Sequence, residues 1–317
     1  MKNKFTLIAL AAVWSLSLWG ESTIIDGQTW YYKQNDDGWP NTTATITGGP
    51  NSGAIKVPQK VSSFTVTRIG IGAFRNCSGL TSVDLPNGLL YIESDAFFNC
   101  SNLSTVGVPR GLLSIGDYAF NFTAIKSFTI PIELESIGAN PFWPSQLEAF
   151  VVDPDYANYE FKGGVLYDRR TKSAVLCPPA TTRTSIEIAS GTVTISDAAF
   201  GGCSGIVEIT IPSSVTKIKS GAFNACTSLK TVHVSGGDAY RVKDMMSVSG
   251  LDVSGIVFDA PETPDGGPYV DKANGIVWTF NVENGCCTIT SVPTTTNPTF
   301  QEKRENSGNA GVFSLFG

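Results

Sequence analysis

The sequence predicts a β-rich repeat solenoid, in which short coils stack so that strands from successive turns form a parallel sheet. Three observations carry this. Phe74, Phe97 and Phe120 recur at 23-residue intervals, Phe142 follows after 22, and Phe200 and Phe223 are again 23 apart. Alanine precedes five of these six phenylalanines. Each is followed by the same order of apolar slots. From Cys77 they are Leu80, Val83, Leu85, Pro86, Leu89, Ile92, Ala96 and Phe97. From Cys100 they are Leu103, Val106, Val108, Pro109, Leu112, Ile115, Ala119 and Phe120. A unit this short cannot bury its apolar slots alone. Stacked units turn equivalent slots into continuous rows of one core.

Each stretch of the unit has a physical reading. Val83-x-Leu85 alternates inward and outward, as a strand does. The proline that follows (Pro86, Pro109, Pro131, Pro212) ends the strand, because it gives no N–H to a ladder. Further units run through Ile125, Phe128, Ile130, Pro131, Leu134 and Ile137, and through Cys203, Ile206, Ile209, Ile211, Pro212, Val215 and Ile218. The last clear unit has Cys226, Leu229, Val232 and Val234.

This pattern, C-x-x-L-x-x-V-x-L-P-x-x-L-x-x-I-x-x-x-A-F, resembles the BspA-like (Treponema-type) leucine-rich repeat over about residues 55–235. The resemblance implies an exported or surface protein engaged in adhesion to proteins or other cells. The residues alone imply only a solenoid.

Other segments flank or interrupt the array. Residues 1–20 read as a secretory signal: Lys2 and Lys4 precede an apolar run from Phe5 to Trp19, too short for a bilayer-spanning helix. Residues 21–54 read as a β leader that covers the first coil. A 58-residue gap separates Phe142 from Phe200. It holds an inserted β-hairpin, about residues 153–184, with apolar runs on either side of the polar turn Asp168–Ser173. Residues 236–270 read as a linker, Pro- and Gly-rich from Pro261 to Pro268. The C-terminal β-rich extension, residues 271–317, opens on a copy of the leader. Gly275-x-x-Trp278-Thr279-Phe280 matches Gly27-x-x-Trp30-Tyr31-Tyr32, and Cys287-Thr288-Ile289-Thr290 matches Ala44-Thr45-Ile46-Thr47. The stretch after Asn297 reads as a poorly ordered tail or a docking peptide.

Composition narrows the function. A net charge of −6 disfavours general nucleic-acid binding, and a single histidine excludes multi-imidazole metal or catalytic sites. No nucleophile, zinc-protease or phosphate-loop motif occurs, so no enzyme activity, cofactor or metal is expected. Seven cysteines are an odd number. Cys77, Cys100, Cys203 and Cys226 share a slot that holds Thr123 and Ser145 elsewhere. They form either a buried ladder of small side chains or disulfides between adjacent coils. Vicinal Cys286 and Cys287 are candidates for intermolecular pairing.

The outward strand slots are the expected binding face: Ser82, Asp84, Thr105, Thr129, Glu187, Glu208, Thr210, Thr231 and His233. They are mostly small and polar, which suits a flat protein surface. The rival site is an aromatic patch on the insertion, Tyr156, Tyr159, Phe161 and Tyr167, which reads more readily as cover for a distorted coil. The expected partner is a protein or cell-surface ligand, with no nucleic acid and no stable membrane span. The alternative is a structural, self-associating envelope protein.

Overall fold

A computed structural model describes residues 20–36, 42–153, 158–235 and 239–259, and strands at Tyr269–Asp271, Ile276–Glu283 and Cys286–Ser291. The predicted signal segment before Gly20, the Pro/Gly-rich stretch 261–268, Tyr156 and the tail from Asn297 lie outside the described residues. The chain divides into two units, Met1–Ala260 and Pro261–Gly317.

The first unit is a β-solenoid of about nine turns. Each coil contributes to two parallel ladders rather than one. The anticipated ladder is built from strands such as Gly79–Asp84, Thr105–Gly107, Glu208–Pro212 and Thr231–Ser235. Its register sets Val83 on Val106, and Ile186 on Ile209 on Val232. The second ladder is made of two-residue strands, with Ile92 on Ile115 on Ile137 and Ile195 on Ile218. A closed turn of chain has to run back along the core. The slot filled by Ile92 is where it does so.

The prolines act as turn formers as well as strand ends. The carbonyls of Pro86, Pro109, Pro131 and Pro212 accept hydrogen bonds from the N–H groups of Leu89, Leu112, Leu134 and Val215, at 3.0–3.2 Å. Proline, short of a donor, still supplies this acceptor. The turn it opens drops the next leucine into the core.

The phenylalanines form a column. Phe74 and Phe97 stack with ring centroids 5.2 Å apart and planes 2° apart, and Phe97 and Phe120 follow at 5.3 Å and 4°. Phe142 continues the column at 5.4 Å. Beside the rings runs a backbone ladder: the N–H of Phe74 donates to Ala96 O, and that of Phe97 to Ala119 O. Trp30 of the leader meets Phe74 edge-on at 6.4 Å and closes the column's first end.

The insertion is a three-stranded meander rather than a two-stranded hairpin: Tyr159–Lys162, Val165–Asp168 and Ser173–Leu176. Its third strand joins the short-strand ladder by pairing in parallel with Thr194–Ile195. Its central strand is buried throughout and divides two hydrophobic cores. Leu166 packs into the core of the earlier coils, whereas Val165 and Tyr167 pack into that of the later ones. Alternation along a strand is enough to serve both sides. After the meander, the N–H of Cys177 donates to Ala199 O at 2.6 Å, in the place a phenylalanine N–H holds elsewhere. The ring column resumes at Phe200 and Phe223, 5.1 Å apart.

The segment read as a linker, 236–270, is corrected over residues 239–259. A helix at Ala239–Val248 buries Val242 and Met246, one turn apart on one face, against the last coil. The Arg241 guanidinium donates to Val215 O at 2.9 Å. The chain then forms the strand Val257–Asp259, parallel to Thr231–His233. This is one more coil, with a helix where the earlier coils place their short strand.

The second unit is an antiparallel meander. It repeats the leader's pairing register: Tyr269 faces Trp278 as Thr23 faces Trp30, and Phe280 faces Ile289 as Tyr32 faces Ile46. The bulge falls at the same place, after Tyr31 and after Thr279.

Candidate functional site

The ladder of longer strands sets the outward residues into rows. Ser82 lies beside Thr105, and Asp84 beside Gly107. Thr129 lies beside Val151 in a separate two-stranded sheet. In the later coils, Glu187, Thr210 and His233 form one row, and Ser185, Glu208 and Thr231 another. The nine anticipated residues therefore fall on three sheets: Ser82, Asp84 and Thr105 on one, Thr129 on a second, and the last five on a third. Glu187 and Glu208 are exposed; Thr210, Thr231 and His233 are half-buried.

At the start of the array, Asp84 reaches across the neighbouring coil. A side chain at Gly107 would come within 2.7 Å of Asp84 Oδ1, so glycine leaves room for the carboxylate. Lys56 stands 4.0 Å from Asp84, both well exposed, and such a pair contributes little to stability. Asp84, Lys56, Lys60 and Asp26 surround a cleft of about 430 Å3 floored by Trp30, Val57, Leu85 and Pro86.

Of the anticipated aromatic patch, the two tyrosines that are described are buried. Tyr159 is 2% exposed and Tyr167 7%, because the meander's strands lie against the cores on either side. The Tyr159 hydroxyl donates to Glu135 O at 3.4 Å, and the Ala189 N–H donates to the Tyr167 hydroxyl at 3.0 Å. Burial raises the Tyr167 hydroxyl's pKa. Phe161 is half-buried and packs edge-on against Phe150 at 5.7 Å. Tyr156 lies outside the described residues.

The five described cysteines are free thiols. Cys100 Sγ donates to Phe74 O at 3.0 Å and Cys226 Sγ to Phe200 O at 3.1 Å, each reaching back one coil. Thr123 fills the same slot by donating to Phe120 O at 2.7 Å. The shared feature is a small donor that bonds a backbone carbonyl, on the preceding coil for the cysteines and on its own coil for Thr123. Burial pushes the Cys100 and Cys226 thiols up to about 12. They stay protonated at neutral pH and are not nucleophiles. Among the described residues, no three His, Cys, Asp or Glu side chains cluster as a metal site would need. No helix among them is long and apolar enough to cross a membrane.

One cluster escaped the sequence reading. Every Ala-Phe turn uses left-handed backbone two residues before its phenylalanine: Gly72, Asp95, Tyr118, Asn140, Ala198 and Gly221. Most do so again two residues after it, at Asn76, Asn99, Phe122, Gly202 and Ala225. Gly, Asn and Asp suit this conformation, and bulky side chains do not. Tyr118 and Phe122 stand out, and they are 42% and 46% exposed. Phe122 meets Phe98 of the preceding coil at 5.3 Å, and the Arg75 guanidinium lies 4.2 Å from the Phe98 ring. The signal in the sequence was an aromatic residue in a slot that otherwise holds Gly, Asn, Asp or Ala.

A family model described as the BspA type leucine-rich repeat region matches six copies, over residues 54–162 and 180–245. Among solved structures, a leucine-rich repeat protein from Bacteroides capillosus is 27% identical, covering 42% of this chain and 98% of its own, with a TM-score of 0.35. One from Eubacterium ventriosum is 22% identical, covering 68% and 73%, with a TM-score of 0.42. A leucine rich cell surface protein from Faecalibacterium prausnitzii is 16% identical, covering 77% and 96%, with a TM-score of 0.37. No curated protein sequence matches the chain.

Proposed function

The chain belongs to the BspA-type leucine-rich repeat family, and from that premise we propose that it is an exported, surface-located adhesive protein without enzymatic activity. Its partner is a protein on another cell or surface, taken up on the outward face of the later coils.

The observation that supports this reading is the pair of rows Glu187–Thr210–His233 and Ser185–Glu208–Thr231. Parallel hydrogen bonds hold them in register over a continuous core, so their spacing does not have to be ordered on binding. Preorganisation of this kind lowers the entropic cost of association. Two exposed carboxylates on a surface of hydroxyl groups favour a partner with a basic patch.

The test uses the full chain immobilised and titrated with surface-protein fractions, with cross-linking to identify what is retained. Wild type is expected to retain a saturable partner, and Glu187→Lys with Glu208→Lys to reduce retention about tenfold at moderate salt. Equal retention by the two proteins, or no saturable partner, contradicts the proposal.

A further inference from the structure

Tyr118 and Phe122 carry a cost that the fold does not return. Both occupy left-handed backbone, at φ 57° and 56°. For a non-glycine residue this conformation costs on the order of 1–2 kcal/mol. The rings lie nearly half exposed and so recover only part of it as burial. Equivalent turns solve the same geometry with Gly72, Asp95, Asn76 and Asn99, which tolerate it better. Strain that is not repaid by packing points to a role at the surface.

The surroundings define what that surface fits. Phe98 and Phe122 come from adjacent coils, edge-on with ring centres 5.3 Å apart, and Tyr118 belongs to the same turn as Phe122. Beside them runs an amide pair, with Asn99 Nδ2 donating to Asn76 Oδ1 at 3.0 Å on the exposed edge. The cation of this edge, Arg75, is already held 3.0 Å from Asp95 and stacked on Phe98. Little positive charge is left for a phosphate or another anion. The spacing separates the neutral candidates. Same-face side chains of an extended peptide are about 6.7 Å apart, out of step with coils about 4.8 Å apart. A chain of pyranose rings advances by nearly one coil per sugar. Its C–H faces lie flat on aromatic rings, and its hydroxyls pair with amides.

We propose that this turn edge binds a neutral, extended polysaccharide. The chain runs along the stacking direction, with Tyr118 and Phe122 as the ring platform, Phe98 bracing Phe122 edge-on, and Asn76 and Asn99 of the two preceding coils as hydrogen-bonding partners. The site lies on the Ala-Phe turns and uses none of the residues of the proposed protein-binding face, so the two can fail separately.

The experiment is isothermal titration of the full chain with cellohexaose, xylohexaose, mannohexaose and chitohexaose, and with the matching disaccharides. At least one hexaose is expected to bind, at least about tenfold tighter than its disaccharide because it reaches the Asn76, Asn99 and Phe122 coils together, whereas the disaccharide reaches two. Tyr118→Asn with Phe122→Asn should weaken it by more than about tenfold, while the melting temperature stays level or rises as the left-handed strain is relieved. The unchanged or higher melting temperature separates loss of the platform from loss of the fold. Absence of binding by all four hexaoses, equal affinity for hexaose and disaccharide, or an unaffected double variant overturns the proposal.

Discussion

Two residue types set the interior of each coil. Phe97 lies between Phe74 and Phe120 with no exposed surface. Replacing it with alanine opens a gap that neighbours locked in their own coils cannot fill, so Phe97→Ala is expected to cost about 3–5 kcal/mol in denaturant unfolding. A cost under about 1 kcal/mol would contradict its place in the column. Cys100 is the other type. Its pKa is 9.0 as an ordinary thiol and about 12 in the fold, where burial disfavours the thiolate. Between those values the unfolded chain loses the proton and the folded chain keeps it, so stability is complete below pH 9 and falls as pH rises toward 12. Cys226 adds to the same trend. Cys100→Thr, which keeps a small donor in the slot as Thr123 does but has no thiol to ionise, is expected to flatten this alkaline loss when melting temperature is followed from pH 8 to pH 11. An unchanged slope would show that Cys100 is not the group responsible.

At the scale of elements, the insertion is the joint between two stretches of coil. Arg170 fastens it. The guanidinium donates to Glu135 O at 2.7 Å on the preceding coil, pairs with Asp168 at 2.9 Å, and reaches the Tyr159 hydroxyl. Asp168 is only 7% exposed. Arg170→Ala leaves that carboxylate without its cation and is expected to destabilise by about 1–3 kcal/mol. The loss should appear as faster amide exchange across Tyr159–Leu176 before the flanking coils respond; uniform exchange along the chain would contradict the joint. The elements differ in how legible they were. The long strands could be read because two inward slots, as in Val83 and Leu85, mark each one. The short ladder was hidden because only Ile92 or its counterpart faces in, while Tyr91, Ser114 and Ser136 beside it vary. The helix was missed because, among its described side chains, Val242 and Met246 are the fully buried apolar ones, too few for a periodic signal. Cys177 takes a phenylalanine's place in the backbone ladder, and nothing in its chemistry announces it. The insertion's tyrosines misled for a related reason: aromatic content does not say which side of a strand meets the core. Tyr118 and Phe122 were visible as residues but not as strained ones, since backbone sign depends on the turn.

Over the whole first unit, stability is a sum of coil and nearest-neighbour contributions, because each coil touches little beyond the ones above and below it. The ring column is the clearest expression of that coupling, and the break at the meander limits its reach: Phe142 ends one run and Phe200 begins the next. The direct measurement is a double-mutant cycle on unfolding free energy, Phe97→Leu with Phe120→Leu, set beside Phe97→Leu with Phe223→Leu. Stacked coils predict a coupling of about 0.5–1.5 kcal/mol for the first pair and additivity within about 0.3–0.5 kcal/mol for the second. Additivity in the first pair, or equal coupling in both, would contradict the stacked-coil account.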